Sequence, residues 1–250
     1  MGNAAIYKKL TDGLTEYSNQ CGIKKGVLGL SGGLDSATTL KVAVDALGAE
    51  NVAAIIMPET GLTKAENTAH AKGLCEFLKV EYHLLPINPF VLNYASLPWK
   101  QNEIAFINNK PRVRATALYN YANTFSALVL GTSNKSELLL GYGTKYGDLA
   151  SDIMVIGDLY KSEIFELAEY LGLPQELIDK EPSAELFEGQ TDEQELGGTY
   201  KDIDTILKQR DVGEETLIEK GMNPMLVRSL FQRMRANQHK LETPPIIQVT

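Results

Sequence analysis

Residues 26–36 read GVLGLSGGLDS, an apolar run that leads directly into two hydroxyls, a carboxylate and two adjacent glycines. These residue types at this spacing suit a polyphosphate. Glycine backbones reach positive φ and can bring their N–H groups close to an anion. Ser31 and Ser36 add hydroxyls, and a helix beginning near Leu34 aims the positive end of its dipole at the same point. Helix capping alone would need only one such residue. Here Leu30, Ser31, Gly32, Gly33, Asp35 and Ser36 converge after an apolar strand, where open parallel sheets bind ligands.

The spacing excludes two common phosphate loops. An ATPase P-loop requires Gly-Lys-Ser/Thr after four spacer residues, and nothing of that kind follows Gly32 or Gly33. The dinucleotide fingerprint also fails, because after Gly141-Tyr142-Gly143 the third glycine position is Tyr146. The pattern that remains resembles the PP-loop of the ATP pyrophosphatases, enzymes that cut ATP between its α and β phosphates.

Cleavage there concentrates negative charge on the departing pyrophosphate, so metal ions and cationic side chains must take it up. A second polar constellation supplies them. It runs from Gly131-Thr132-Ser133-Asn134-Lys135-Ser136-Glu137 through Gly141–Asp148 and Asp152 to Gly157-Asp158-Leu159-Tyr160-Lys161. Magnesium keeps several waters and needs only one or two carboxylates. Asp35 and Glu137 are the expected magnesium ligands, and Lys161 is the expected phosphate clamp.

The elements that must position these groups alternate along the first half of the chain. Strands are expected at Gly26–Leu30, Val52–Met57, Glu81–Pro86 and Ala127–Gly131. Helices are expected at Asn3–Asn19, Leu34–Leu47, Lys64–Leu78 and Val113–Thr124. Apolar strands between amphipathic helices predict an α/β fold, a doubly wound, mostly parallel sheet of Rossmann-like type covered on both faces. Both constellations meet if the first and fourth strands are neighbours at the topological switch point. The C-terminal third reads as helical, at Lys161–Leu171, Tyr200–Gln209, Glu214–Lys220 and Pro224–Gln238, with Pro244-Pro245 closing the last helix. Two stretches break the rhythm: Asn88–Lys110, and the acidic Leu186–Gly198, which reads equally as a lid or a solvated linker.

The 250 residues, 44% of them hydrophobic, suffice for one large domain, 1–250. A net charge of −8 argues against a nucleic-acid partner. No apolar run approaches the roughly 18 residues of a membrane span, and no signal peptide is recognisable, so a cytoplasmic address is expected. Cys21 and Cys75 form neither a disulfide framework nor a zinc motif; Cys75 is expected on a buried helix face.

The strings SGGLDS, GTSNKSELLLGYGTKYGD, IGDLYKSEIFELAEYLGLP, KEPSAEL and TDEQELG occur in the order found in the ammonia-dependent NAD synthetases, and the resemblance covers nearly the whole chain. It implies that ATP adenylates the nicotinate carboxylate of deamido-NAD and that ammonia then displaces AMP, releasing AMP and pyrophosphate. It also implies a PP-loop ATP pyrophosphatase fold, Mg²⁺, a homodimer with deamido-NAD at the subunit interface, and free ammonia in place of a glutaminase domain. Asn88–Tyr121 would supply dimer contacts.

Residue by residue, the resemblance assigns Leu30, Ser31, Gly32, Gly33, Asp35, Ser36, Met57, Thr132, Lys161 and Ser183 to ATP, and Asp35 and Glu137 to magnesium. Met57 would meet the adenine, partly through its backbone. Asn108, Arg112 and Arg114 resemble an Asn-x-x-x-Arg-x-Arg segment on the deamido-NAD side. Lys145, Asp148 and Asp152 would surround the nicotinate end, with Asp148 orienting or deprotonating incoming ammonium, and His239-Lys240 would complete that site. The catalytic set is Asp35, Asp148 and Lys161. A PP-loop enzyme that forms GMP or asparagine, and an adenine-nucleotide-binding module without chemistry, are the competing readings.

Overall fold

A computed structural model describes residues 1–183, 189 and 191–249. Its sheet is built from β1 (Lys25–Gly29), β2 (Val52–Ile56), β3 (Glu81–Leu84), β4 (Ala127–Gly131) and β5 (Ile153–Met154), all parallel, in the order β3-β2-β1-β4-β5. The chain winds outward from β1 through β2 to β3, then returns to the other side of β1 as β4. That reversal is the switch point, so the segments that follow β1 and β4 open side by side. The three central strands, β1, β2 and β4, divide their side chains between two apolar layers by simple alternation. Leu28, Ala54, Ile56, Leu128 and Leu130 enter one core, whereas Val27, Ala53, Ile55, Ala127 and Val129 enter the other.

The helices are α1 (Asn3–Cys21), α2 (Leu34–Leu47), α3 (Ala65–Leu78), α4 (Asn88–Leu92), α5 (Glu103–Phe125), α6 (Lys135–Leu140), α7 (Lys161–Tyr170), α8 (Gln175–Ile178), α9 (Asp192–Leu196), α10 (Tyr200–Lys208), α11 (Glu214–Glu219) and α12 (Pro224–Asn237). Packing assigns their layers: α1, α2, α3 and α7 cover the first core, and α4 and α5 cover the second. A third apolar cluster joins α6 to α9–α12 through Leu140, Leu196, Ile203, Leu207, Leu217 and Val227. The α10 helix shows why this third unit holds together. Tyr200, Ile203, Asp204, Ile206 and Leu207 fall on its buried side, at the three- and four-residue spacing of one helix face.

The four expected strands and the eight expected helices are present with ends shifted by a few residues, apart from one helix start. Helix α5 begins ten residues before the expected Val113, so much of Asn88–Lys110 is helical rather than loop. Pro111 removes one intrahelical bond without ending the helix. The Asn102 side chain caps the early start by accepting from Ala105 N–H at 2.8 Å, and the half-turn before the proline is anchored by a buried Lys110–Glu59 ion pair at 2.7 Å. Within Leu186–Gly198, residues 192–196 form α9, while residues 186–188 and 190 lie outside the described residues. Strand β5 is a further element, too short for a sequence pattern to reveal.

Candidate active site

The turn after β1 is tied by its own hydroxyls. Ser36 Oγ donates to Gly33 O at 3.0 Å and lies 3.1 Å from Ser31 Oγ, while Gly33 N–H donates to Ser31 Oγ at 3.1 Å. Gly32 is the position that only glycine suits. Its φ is +78°, and a Cβ there would lie 2.2 Å from the carbonyl oxygen of buried Asn67 on α3. Gly33 departs from the expected positive φ. It is extended, with φ −100° and ψ 164°, because it serves as the N-cap of α2.

The segment after β4 stands beside this turn. Asn134 and Glu137 form a capping box at the start of α6: Glu137 N–H donates to Asn134 Oδ1 at 2.9 Å, and Asn134 N–H donates to Glu137 Oε2 at 3.1 Å. The same Asn134 donates through Nδ2 to Asp35 Oδ1 at 3.1 Å, linking the two strand ends. Lys161, the first residue of α7, extends its ammonium to Asp35 Oδ2 from a site only 3% exposed. Burial alone would lower the Lys161 pKa, but the Asp35 and Glu137 carboxylates outweigh it, so the ammonium is held more firmly than usual. Glu137 responds in the opposite sense. Burial, and then the neighbouring Asp35 charge, push its carboxyl well above the usual range.

One open cleft collects most of the expected residues. Leu30, Ser31, Gly33, Asp35, Ser36, Met57, Thr132, Glu137, Lys161 and Ser183 all line it. Gly32 is set back against Asn67, and Lys180 donates to its carbonyl at 3.1 Å. On one side the wall is apolar, with Ala115 and Leu118 near Met57. Arg114 belongs to this side rather than to the opposite end, since its Nε donates to Met57 O at 3.1 Å.

The Gly141–Asp148 turn forms another wall. Thr144 N–H donates to both Asp148 oxygens at 3.1 Å, and Thr144 Oγ1 donates to Asn108 Oδ1 at 2.8 Å. Asp148 opens onto the cleft yet is surrounded by protein atoms. That desolvation raises its pKa against the opposing Thr144 hydrogen bonds. Lys240 fixes the turn by donating to Gly141 O at 2.8 Å and Gly143 O at 3.0 Å. Desolvation lowers the Lys240 pKa, partly offset by the Asp148 carboxylate.

Besides Gly32, four expected residues lie outside the cleft. Arg112, Lys145 and His239 form a chain along its rim: Arg112 Nε donates to Lys145 O at 3.3 Å, and Lys145 Nζ donates to the carbonyl of exposed His239. Asp152 points elsewhere. Its Oδ2 accepts from Val129 N–H at 2.7 Å and its Oδ1 from Tyr119 at 3.4 Å, so within this chain it braces β4 against α5.

The chain matches the family model for NAD synthase over residues 6–244. It belongs to the NAD synthase family. The NH(3)-dependent NAD(+) synthetase of Archaeoglobus fulgidus is 46% identical over 244 residues, covering 98% of this chain and 96% of that protein. Among solved structures, the NH3-dependent NAD synthetase of Campylobacter jejuni superposes with a TM-score of 0.85 at 36% identity, covering 99% of this chain and 100% of that one. The NMN synthetase of Francisella tularensis superposes with a TM-score of 0.88 at 32% identity, covering 99% of both chains.

This member of the NAD synthase family also brings residues to the cleft that its motifs alone did not single out. Asp192, 4% exposed, is met by the hydroxyls of Tyr200 at 3.1 Å and Tyr142 at 3.2 Å. Burial raises its pKa, while Lys161 and the two tyrosines act against the rise. Arg233 of α12 reaches the same cleft and donates to Glu195 O at 2.8 Å. The strings KEPSAEL and TDEQELG contain Lys180 and Asp192, but roles for these two follow only from their distances to Gly32 and the tyrosines.

The donor set suits magnesium carried by a nucleotide. Among the described residues no cluster of three or more His, Cys, Asp or Glu side chains is arranged to hold a metal. Two carboxylates are enough for an ion that retains waters and phosphate oxygens. Asp35 and Glu137 are close enough for each charge to raise the cost of the other, a cost that a divalent cation relieves.

Proposed function

We infer that this protein catalyses the ATP-dependent amidation of deamido-NAD to NAD with free ammonia, through an adenylated nicotinate carboxylate, releasing AMP and pyrophosphate. The observation that carries the reading is the convergence of Asp35, Glu137 and Lys161 beside the Ser31–Ser36 turn, in a chain of the NAD synthase family. A carboxylate does not accept an amine unactivated, and AMP supplies a leaving group of low basicity. The apolar wall by Met57 receives the adenine, the Ser31–Ser36 turn receives the β and γ phosphates, and Thr132 and Ser183 contact the nucleotide between them. Lys161 neutralises charge that grows on the departing pyrophosphate. Magnesium held by Asp35 and Glu137 supplies further neutralisation of that charge when bound.

Deamido-NAD enters from the side of Asn108, Asp148 and Lys240. Asp148 accepts a proton from ammonium, since an amine must lose its proton before attacking. Its desolvated setting brings its basicity closer to that task. Arg112, Lys145 and His239, on the rim, reach the part of deamido-NAD that projects from the cleft. A second copy of the chain closes that side. Support for a homodimer comes from Leu84, Phe90, Leu92, Trp99, Ile104, Phe106 and Phe125, large apolar side chains exposed along β3, α4, α5 and the connection between α4 and α5. The setting is cytoplasmic; no described helix is long and apolar enough to cross a membrane.

The name of the Francisella relative identifies the nearest alternative acceptor, a mononucleotide. Steady-state rates with deamido-NAD and with nicotinate mononucleotide, each with ATP, magnesium and ammonium, separate the two. The higher kcat/KM is expected for deamido-NAD, and a preference for the mononucleotide would overturn the acceptor assignment.

A further inference from the structure

The side chain of Asp204, on α10, is 1% exposed and does not line the cleft, yet it is bonded to both elements that carry the charged machinery. Its Oδ1 accepts from Ser136 Oγ at 2.5 Å, and its Oδ2 accepts from Ser162 N–H at 2.8 Å. Ser136 Oγ in turn accepts from Lys161 N–H at 3.0 Å. Helices begin with N–H groups that have no intrahelical acceptor, and a buried helix start must find acceptors elsewhere. The first two such groups of α7 belong to Lys161 and Ser162, and both are satisfied by residues from other elements.

The consequence concerns position. Lys161 is the first residue of α7, so the orientation of that helix start aims its ammonium at Asp35. Ser136 lies one residue before Glu137 on α6. One carboxylate thus ties together the first turns of α6 and α7, and its negative charge favours the positive end of α7. We propose that Asp204 is a positioning residue for ATP binding, acting through Ser136 and the backbone of α7 to hold Lys161 in line with the triphosphate. This rests on the reading of Lys161 as the phosphate clamp.

The test is the ATP dissociation constant, measured calorimetrically on the purified full chain at 25 °C. Irreversibly misfolded protein lowers the number of binding sites but leaves this constant alone. Thermal unfolding of each variant establishes that it is fully folded at 25 °C, where a reversible unfolding equilibrium would weaken the apparent constant. Asp204→Ala is expected to weaken ATP at least fivefold. Asp204→Asn is expected to stay within twofold of the wild type, since its amide oxygen still accepts from Ser162 N–H and its NH₂ can donate to Ser136 Oγ. In a Lys161→Ala background, Asp204→Ala should weaken ATP by less than a further twofold. Ser136→Ala breaks the same chain at its middle and carries the test if Asp204→Ala does not fold. Leu14→Ala, in the core beneath α1, serves as a control for general destabilisation and should not change the constant.

Wild-type ATP affinity in Asp204→Ala or in Ser136→Ala, with Lys161→Ala weakened tenfold or more, would overturn the proposal and leave the clamp standing. An equal further loss in the Lys161→Ala background would also overturn it. Unchanged affinity in Lys161→Ala would remove the clamp itself, and the proposal with it.

Discussion

Replacing Lys161 by Ala removes the cation that the structure places most deliberately. The side chain is 3% exposed and pairs with an Asp35 that is 19% exposed. Breaking a fully buried pair costs about 3–5 kcal/mol because the remaining charge is stranded. Asp35 keeps some contact with water, so the expected loss of folding stability is smaller, about 2 kcal/mol. The kinetic effect should be larger. A preorganised charged donor that meets developing negative charge is worth roughly 2.7–4 kcal/mol in the transition state, or about 10²–10³ in kcat. Pyrophosphate release at saturating ATP, deamido-NAD and ammonium measures kcat, and thermal unfolding in parallel measures stability. Lys161→Arg should rescue little, because a larger planar group enters a filled site. A kcat within tenfold of wild type for Lys161→Ala would refute the assignment of Lys161 to the transition state.

Further outcomes test other parts of the account. Asp148→Asn should retain pyrophosphate formation in a single turnover but lose the normal dependence of NAD formation on ammonia. Because desolvation raises the Asp148 pKa, the acidic limb of wild-type amide formation should lie at higher pH than an unperturbed aspartate would give and disappear in the variant. Unaltered ammonia dependence would remove Asp148 from that role. Gly32→Ala, which combines φ +78° with a Cβ 2.2 Å from the Asn67 carbonyl, should raise the KM for ATP at least tenfold or prevent folding, and a normal KM in a folded variant would contradict the turn geometry. Burial, with a smaller contribution from Glu76, pushes the Cys75 thiol up to about 12, whereas Cys21 is exposed. A thiol reagent at pH 8 should modify one cysteine in the native protein and two after unfolding; two rapid modifications in the native state would refute the packing of α3.

Much of the fold was legible because β1, β2 and β4 are short, largely apolar runs bounded by turn residues, and such runs announce a sheet covered on both faces. The two polar constellations are expected to meet if β1 and β4 are neighbours at the switch point; they are neighbours, and Asp35 after β1 pairs with Lys161 at the start of α7. The expected start of α5 is ten residues late, and the helix runs through Pro111, held by the Asn102 cap and the Lys110–Glu59 pair. Asp192 and Asp204 were not singled out for a different reason. Each is an acidic residue among other acidic residues in sequence, and its importance comes from partners on other elements. Arg114 was near enough in sequence to Arg112 to be grouped with it, but two residues along a helix turn a side chain through about 200°. Arg112 therefore faces the rim and Arg114 faces Met57.

The central claim is that nitrogen from free ammonium enters a carboxylate activated by AMP. Incubation of the protein with ATP, magnesium, deamido-NAD and ¹⁵N-ammonium, followed by mass spectrometry of the products, addresses it directly. The account predicts singly labelled NAD, AMP and pyrophosphate in equal amounts over many turnovers, with no product when deamido-NAD is omitted, and no NAD and at most one enzyme equivalent of pyrophosphate when ammonium is omitted. ADP and inorganic phosphate in place of AMP and pyrophosphate, or release of AMP without labelled NAD, would contradict it.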